Sequence, residues 1–182
     1  EDYMKIYVIR HGQTDWNLEG RMLTLEDIPL NENGINQAKK AKEIVDNLDY
    51  DLVISSPLKR TYQTAQIINQ TNNKNIIVDD RIIERDAGPL SGLYTSEDIF
   101  KDYWKIDKNN LKYEGPESIE HLMNRVYDFI NYVKKEYSNK NILIVTHNGV
   151  CRMIRAYFEG TKINEDIRGL GQDNCEIRMY KI

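Results

Sequence analysis

Cysteine is scarce. Cys151 and Cys175 are the only two in 182 residues, with no Cys-x-x-Cys pair and no histidine–cysteine cluster at zinc spacing. Two free, buried thiols are expected, as in a reducing compartment, and nothing requires a bridge between them. A basic excess is missing too. Lys and Arg number 25 against 29 Asp and Glu, a formal charge of −4, and the pI is about 5.5. Nucleic-acid binders carry a basic balance or stripe. The densest basic run here, Lys39-Lys40-Ala41-Lys42 beside Glu43, reads as a solvated helix face. No nucleic-acid partner is expected, and any site for a phosphorylated molecule must make its positive field locally. No apolar run approaches the roughly 20 residues of a bilayer span, so no membrane partner is expected. The charged-then-apolar pattern of an export signal is absent, although the chain opens on Glu1 rather than Met; cytoplasm is the expected compartment. No repeat, low-complexity tract or linker divides the sequence. With 40% hydrophobic and 30% charged residues, one soluble domain over 1–182 is expected.

What is present is an alternation of strand and helix signals. Met4 to Ile9 is a β-rich run ending at Arg10-His11-Gly12. A helical stripe runs from Ile35 to Leu48 through Ala38, Ala41, Ile44 and Val45. Leu52-Val53-Ile54 is a short buried strand closed by Ser55-Ser56-Pro57, and Pro57 suits the first turn of a helix from Leu58 to about Asn69. Asn75 to Val78 is another strand. A helix opening at Pro116-Glu117-Ser118 carries Ile119, Leu122, Met123, Val126, Phe129, Ile130 and Val133 on one stripe. Asn141 to Thr146 is the most strand-like run, ending at His147-Asn148-Gly149, where a further helix begins. Glu176 to Ile182 closes the chain as an edge strand. Such alternation predicts an α/β fold with a mostly parallel sheet covered on both faces. Ligands in such sheets bind at the carboxyl ends of strands.

Two histidines sit at such ends. His11 follows the first strand, flanked by Arg10 and by Gly12, which permits close approach of ligand or backbone. His147 follows an equally buried strand where a helix opens, a place where anions settle. Arg60 lies on the helix after Ser55-Ser56-Pro57. Two imidazoles and two guanidinium forks at one sheet edge suit a dianion, and phosphate is the natural candidate. A neutral imidazole can attack phosphorus and divide one hard step into two. Arg10, Arg60 and a protonated His147 would stabilise the equatorial oxygens. The leaving alkoxide needs a proton, and Glu84, in surroundings of Tyr and Leu that raise a carboxyl's proton affinity, is the candidate acid. His121 lies opposite the apolar stripe of its helix and is expected to be exposed and idle.

The joint pattern resembles the histidine phosphatase superfamily, in the branch with cofactor-dependent phosphoglycerate mutases and fructose-2,6-bisphosphatase. The resemblance rests on Arg10-His11-Gly12-Gln13-Thr14-Asp15-Trp16-Asn17 and on Gly20-Arg21 with Asp27-Ile28-Pro29-Leu30, Gly34 and Gln37-Ala38. It continues through Ser55-Ser56-Pro57-Leu58-Lys59-Arg60-Thr61 with Thr64-Ala65, and Glu84 with Gly88 and Gly92. It ends with Gly115-Pro116-Glu117-Ser118, where Pro116 is inserted, and Val145-Thr146-His147-Asn148-Gly149-Val150. It implies a three-layer α/β/α sandwich with one antiparallel edge strand, the last. It implies His11 as the phosphorylated nucleophile, and Arg10, Asn17, Arg60 and His147 as phosphate-binding residues. Glu84 would be proton donor and then base. No metal and no other cofactor is implied.

Two departures separate phosphatase from mutase. Mutases of the family carry a Gln-Gly shortly after the Gly-Arg pair, where this chain reads Leu23-Thr24. They also carry an arginine pair and a proline-rich insert before the second histidine. Between Glu84 and His147 this chain has only Arg85 and Arg125, and Pro89 and Pro116. Without those clamps a phosphohistidine should hydrolyse, so a phosphomonoesterase is expected, with a phosphoglycerate mutase as alternative and an inactive phosphate-binding relative as a third reading. Gln13, Thr24 and Tyr94 are candidates for contacts to the rest of a small phosphate ester. Residues 88–115 are a candidate lid, whose Tyr94, Tyr103, Trp104 and Tyr113 either pack on the substrate or bury the segment on its own domain. A homodimer through exposed apolar ends of the sheet is left open.

Overall fold

β1 (Lys5–Arg10) is a run of β-branched and aromatic residues whose two faces are both buried, which places it inside a sheet rather than at its rim. The computed structural model describes residues 3–106, 115–161 and 165–182. After β1 come α1 (Asp15–Glu19), α2 (Glu32–Val45), β2 (Leu52–Ser55), α3 (Lys59–Ile68) and β3 (Asn75–Val78). Then follow α4 (Ile119–Glu136), β4 (Ile142–Thr146), α5 (Asn148–Glu159) and β5 (Ile177–Lys181). The five strands lie in the order β3-β2-β4-β1-β5. β1, β2, β3 and β4 pair in parallel, and β5 runs antiparallel to β1 at the edge.

Alternate residues of the central strands feed two separate cores. Ile6, Val8, Ile142 and Ile144 pack with Leu122, Val126, Phe129, Ile130 and Val133 of α4 and with Val150 and Ile154 of α5. Tyr7, Ile9, Val53, Leu143 and Val145 pack with Ala38, Ala41 and Val45 of α2 and with Ala65 and Ile68 of α3. This is the three-layer α/β/α sandwich with its last strand antiparallel, as expected. Among the described residues no helix is long and apolar enough to cross a membrane.

Some boundaries differ. The helix expected over Ile35–Leu48 begins at Glu32 and ends at Val45. Asn31 caps it by accepting the Gly34 N–H at 2.8 Å, which draws Asn33 and Gly34 into the first turn. The short helix α1 has a capping box: Thr14 Oγ1 accepts the Asn17 N–H at 3.2 Å, and Asn17 Oδ1 accepts the Thr14 N–H at 3.0 Å. Of the two free thiols, Cys151 is buried but Cys175 is only half-buried, in a left-handed turn at φ 60°.

Residues 88–106 wrap one end of the sheet. Phe100, Tyr103 and Trp104 are buried in the α4–α5 core, so these aromatics do pack the segment onto its own domain. Tyr94 is 55% exposed, and Tyr113 lies outside the described residues. The segment is tied down by backbone bonds at both ends. Met22 N–H donates to Leu93 O at 2.7 Å and Gly92 N–H to Met22 O at 2.8 Å, while Ile106 N–H donates to Glu165 O at 2.8 Å.

Candidate active site

β1 and β4 are neighbours in register, Arg10 opposite Thr146. The residues that follow, His11 and His147, therefore emerge side by side, with ring centroids 5.3 Å apart and planes at 62°. Both rings are buried, His147 fully. His11 Nδ1 lies 2.6 Å from Gly12 O. A carbonyl can only accept, so Nδ1 carries the proton and Nε2 keeps its lone pair. Burial first, then the charges of Arg60 and Arg10, hold His11 well below its ordinary value, so the ring is neutral at pH 7. His147 is likewise lowered, by burial and then by Arg60. Its Nε2 lies 2.7 Å from Ser56 Oγ, and its Nδ1 is buried with no partner among the described residues.

The arginines are held by backbone carbonyls, which fix the forks without neutralising them. Arg60, on the first turn of α3 and fully buried, donates from Nη1 to Glu26 O at 2.7 Å and from Nη2 to Thr24 O at 2.6 Å. Burial lowers it to about 10, so it stays charged. Arg10 donates from Nη1 to Gln172 O at 2.8 Å. The Nε atoms of Arg10 and Arg60 are buried and unpaired. Two unpaired guanidinium N–H groups and an unpaired imidazole nitrogen around a neutral His11 form a cluster that an anion completes, because a buried unsatisfied donor is costly.

Glu84 reaches the same place from the loop after β3. Thr146 Oγ1 donates to Ile82 O at 2.7 Å, which pins that loop to the end of β4. The Glu84 carboxylate accepts the Arg85 N–H at 2.8 Å and the Gly149 N–H, from the start of α5, at 3.2 Å. Gly149 and Trp104 crowd it on one side: a Cβ on Gly149 would lie 2.3 Å from Glu84 Oε1 and 2.8 Å from the Trp104 ring.

An open cavity of about 360 Å³ leads to His11. Arg10, His11, Asn17 and Glu84 line it, and His147 and Arg60 are fully buried next to His11. Asn17 uses only its Oδ1 in the capping box, which leaves its amide N–H groups for a ligand. The three residues assigned to the rest of the substrate do not line it. Gln13 turns its Oε1 to Asn31 and Asn33, both at 3.1 Å. Thr24 is buried, with its hydroxyl on Ser91 at 3.3 Å. Tyr94, joined to Arg21 by an isolated antiparallel bridge, is largely exposed to solvent. The cavity instead gains Arg21, Phe100, Trp104, Asn148, Arg152 and Arg168. Arg152 was readable: it lies one helical turn after Asn148 at the strand end, on the same face. Arg168 comes from a loop with no periodic signal. His121 is exposed as expected, though its ring meets the Glu117 carboxylate. Among the described residues no group of three His, Cys, Asp or Glu side chains is placed to hold a metal ion.

The profile described as histidine phosphatase superfamily (branch 1) matches residues 6–182. Phosphoserine phosphatase 1 of Hydrogenobacter thermophilus is 33% identical over 178 residues, which is 94% of this chain and 83% of that protein. The uncharacterized phosphatase PhoE of Bacillus subtilis is 35% identical over 155 residues, 85% of this chain and 77% of its own length. Among solved structures, Bacillus stearothermophilus YhfR superposes with a TM-score of 0.85 at 22% identity, covering 97% of this chain and 90% of that one, a likeness of fold.

Proposed function

The chain belongs to the histidine phosphatase superfamily, branch 1, and from that premise we propose that it hydrolyses small phosphomonoesters, without a metal ion, through a phosphohistidine on His11. The observation that carries this reading is the neutral His11 ring, its Nδ1–H held on Gly12 O, set among the unpaired buried N–H groups of Arg10 and Arg60 and the unpaired Nδ1 of His147. The phosphatase names of relatives at 33% and 35% identity support the same reaction class.

In the first step His11 Nε2 attacks phosphorus, the ester P–O bond breaks, and Glu84 gives its proton to the leaving oxygen. In the second step Glu84 takes a proton from water, the water oxygen attacks phosphorus, and the P–N bond breaks. Phosphate leaves and His11 is neutral again. Arg10, Arg60 and Asn17 hold the phosphoryl oxygens in both steps, and His147 donates to one of them as charge accumulates. Fixed guanidinium charge supplies here what metal ions supply in other phosphoryl-transfer sites. A single domain acting in the cytoplasm belongs to the same reading, which the two unbridged thiols support.

The test is phosphate release from a panel of phosphomonoesters in EDTA by wild type and His11→Ala. Turnover that survives EDTA and falls at least a thousandfold in the variant is expected. Substantial activity left in His11→Ala, or a requirement for divalent metal, overturns the mechanism. Isomerisation of 3-phosphoglycerate on addition of 2,3-bisphosphoglycerate, without phosphate release, would make the protein a mutase.

A further inference from the structure

Arg85 and Arg125, the arginines between Glu84 and His147, do not line the cavity. Both hold the chain around Glu84 instead. Arg125, on the second turn of α4, donates from Nη1 to Arg81 O at 2.6 Å and from Nη2 to Glu84 O at 3.1 Å. One guanidinium therefore grips both ends of the stretch 81–84 that carries the proposed acid. Arg85 donates from Nε to Glu117 O at 2.8 Å and from Nη1 to Tyr103 O at 2.5 Å, which fixes the chain just beyond.

Glu117 aims the Arg125 fork. Its Oε2 accepts Arg125 Nε at 2.8 Å and its Oε1 accepts Nη2 at 2.9 Å, a bidentate pair. Its main chain meets the same region. The Glu117 N–H donates to Asp86 O at 2.7 Å, and the Asp86 N–H donates to Glu117 Oε1 at 3.3 Å. Burial raises the proton affinity of the Glu117 carboxyl, but the hydrogen bonds and charge of Arg125 outweigh it and bring the group below its ordinary value, so the pair is ionic at neutral pH. The two side chains are only 14% and 10% exposed. An ion pair so placed adds little stability, because desolvating two charges offsets most of their attraction. What it supplies is direction: a planar fork held along one edge presents its other N–H groups at fixed angles. Glu84 needs that direction. Its carboxylate meets the Gly149 N–H at 3.2 Å, the long end of the usual range, so that bond restrains the carboxylate well only when the main chain is already in place.

We propose that Arg125, aimed by Glu117, is the positioning residue that sets Glu84 for proton transfer. It acts through the Glu84 main chain and touches neither the substrate nor the reacting atoms. The proposal rests on the acid role given to Glu84 in the phosphatase reading. It gives the turn Gly115-Pro116-Glu117-Ser118 a task in the reaction besides starting α4.

The readout is leaving-group selectivity: kcat/KM on 4-nitrophenyl phosphate divided by kcat/KM on glycerol 3-phosphate. This ratio does not depend on how much of a variant is folded, and only the alkyl ester needs the proton. Arg125→Lys keeps the charge but cannot span Glu117 and both carbonyls. A misplacement of about 1 Å can cost about 100-fold, so Arg125→Lys should raise the ratio about tenfold, and Glu117→Gln, which keeps the shape and part of the bonding, about threefold. In a Glu84→Gln background, Arg125→Lys should change the ratio by less than about twofold, since no acid remains to be placed and the two substitutions act through one group. A purely structural role slows both esters together. Wild-type ratios in Arg125→Lys and Glu117→Gln, at whatever total activity, therefore overturn the proposal. An equal rise with and without the Glu84 carboxylate also overturns it, because Arg125 would then act by another route. Failure of the premise looks different. If Glu84→Gln itself leaves the ratio unchanged, Glu84 is not the acid, and if wild type hydrolyses neither ester, the phosphatase reading falls. Either result overturns the proposal together with its premise.

Discussion

His11 shows how one side chain is prepared by its immediate neighbours. The Gly12 carbonyl chooses its tautomer, and burial beside two guanidinium groups keeps it unprotonated. Glu84 is prepared differently, through two backbone N–H groups and a neighbour without a side chain. The proposed acid role predicts that Glu84→Gln slows hydrolysis of alkyl phosphates by about 100-fold or more, while aryl phosphates, whose leaving groups need no proton, lose far less. Equal losses on both would make Glu84 structural. Gly149→Ala should imitate that selectivity, because its Cβ would lie 2.3 Å from Glu84 Oε1 and must push the carboxylate aside. Steady-state rates on paired alkyl and aryl substrates check both variants.

Between elements, the contact of the β1–α1 turn with α2 sets the position of the nucleophile. A Cβ on Gly12 would lie 2.5 Å from Gly34 O, and one on Gly34 would lie 2.1 Å from Gln13 O. Each glycine is thus required by the backbone of the other segment, and backbone cannot rotate away as a side chain can. Gly34→Ala should cost about 1–3 kcal/mol of stability, as overpacking does, and should reduce turnover beyond what the lost stability explains. Denaturant melts alongside kcat/KM test this. An alanine variant of wild-type stability and activity would show that α2 can shift freely against the turn. The same reasoning explains why α3 serves the site well: Arg60 stands on its first turn, so the helix that covers β2 also delivers the guanidinium to the strand end.

For the whole molecule, two buried neutral histidines link stability to pH. In the folded chain His11 and His147 bind protons only well below their ordinary value near 6.5. In the unfolded chain they take protons at that value. The unfolded state therefore binds more protons as pH falls through about 6.5, and stability drops with falling pH, by up to about 1.4 kcal/mol per unit for each ring. Above 6.5 the effect vanishes. The expected result is a melting temperature that falls between pH 6.5 and 5, ahead of the loss from protonating paired carboxylates, with a shallower slope in His11→Ala. A flat profile over that range would mean that the rings protonate in the folded state. Inorganic phosphate should raise the melting temperature by mass action if the cluster of unpaired donors binds it.

Much of this was determined by the sequence itself. The β-rich runs, the apolar stripe of α4 and the punctuation at Ser55-Ser56-Pro57 specify which elements form, because period and turn chemistry act over a few residues. Strand-end position singled out His11 and His147, and residue chemistry singled out Arg10, Arg60 and Glu84, before any contact was known. Local signals misled where a cap redrew a boundary: Asn31, not Ile35, marks the entry to α2. Only the tertiary structure decided that β4 inserts between β1 and β2, which brings the two histidines together. It also turned Gln13, Thr24 and Tyr94 away from the cavity and brought Trp104, Arg152 and Arg168 into it. The reason is physical. Chemistry at a strand end is set by local backbone, whereas the wall of a cavity is set by long-range bonds such as those from Arg168 to Phe100 and Lys101, which no periodicity records.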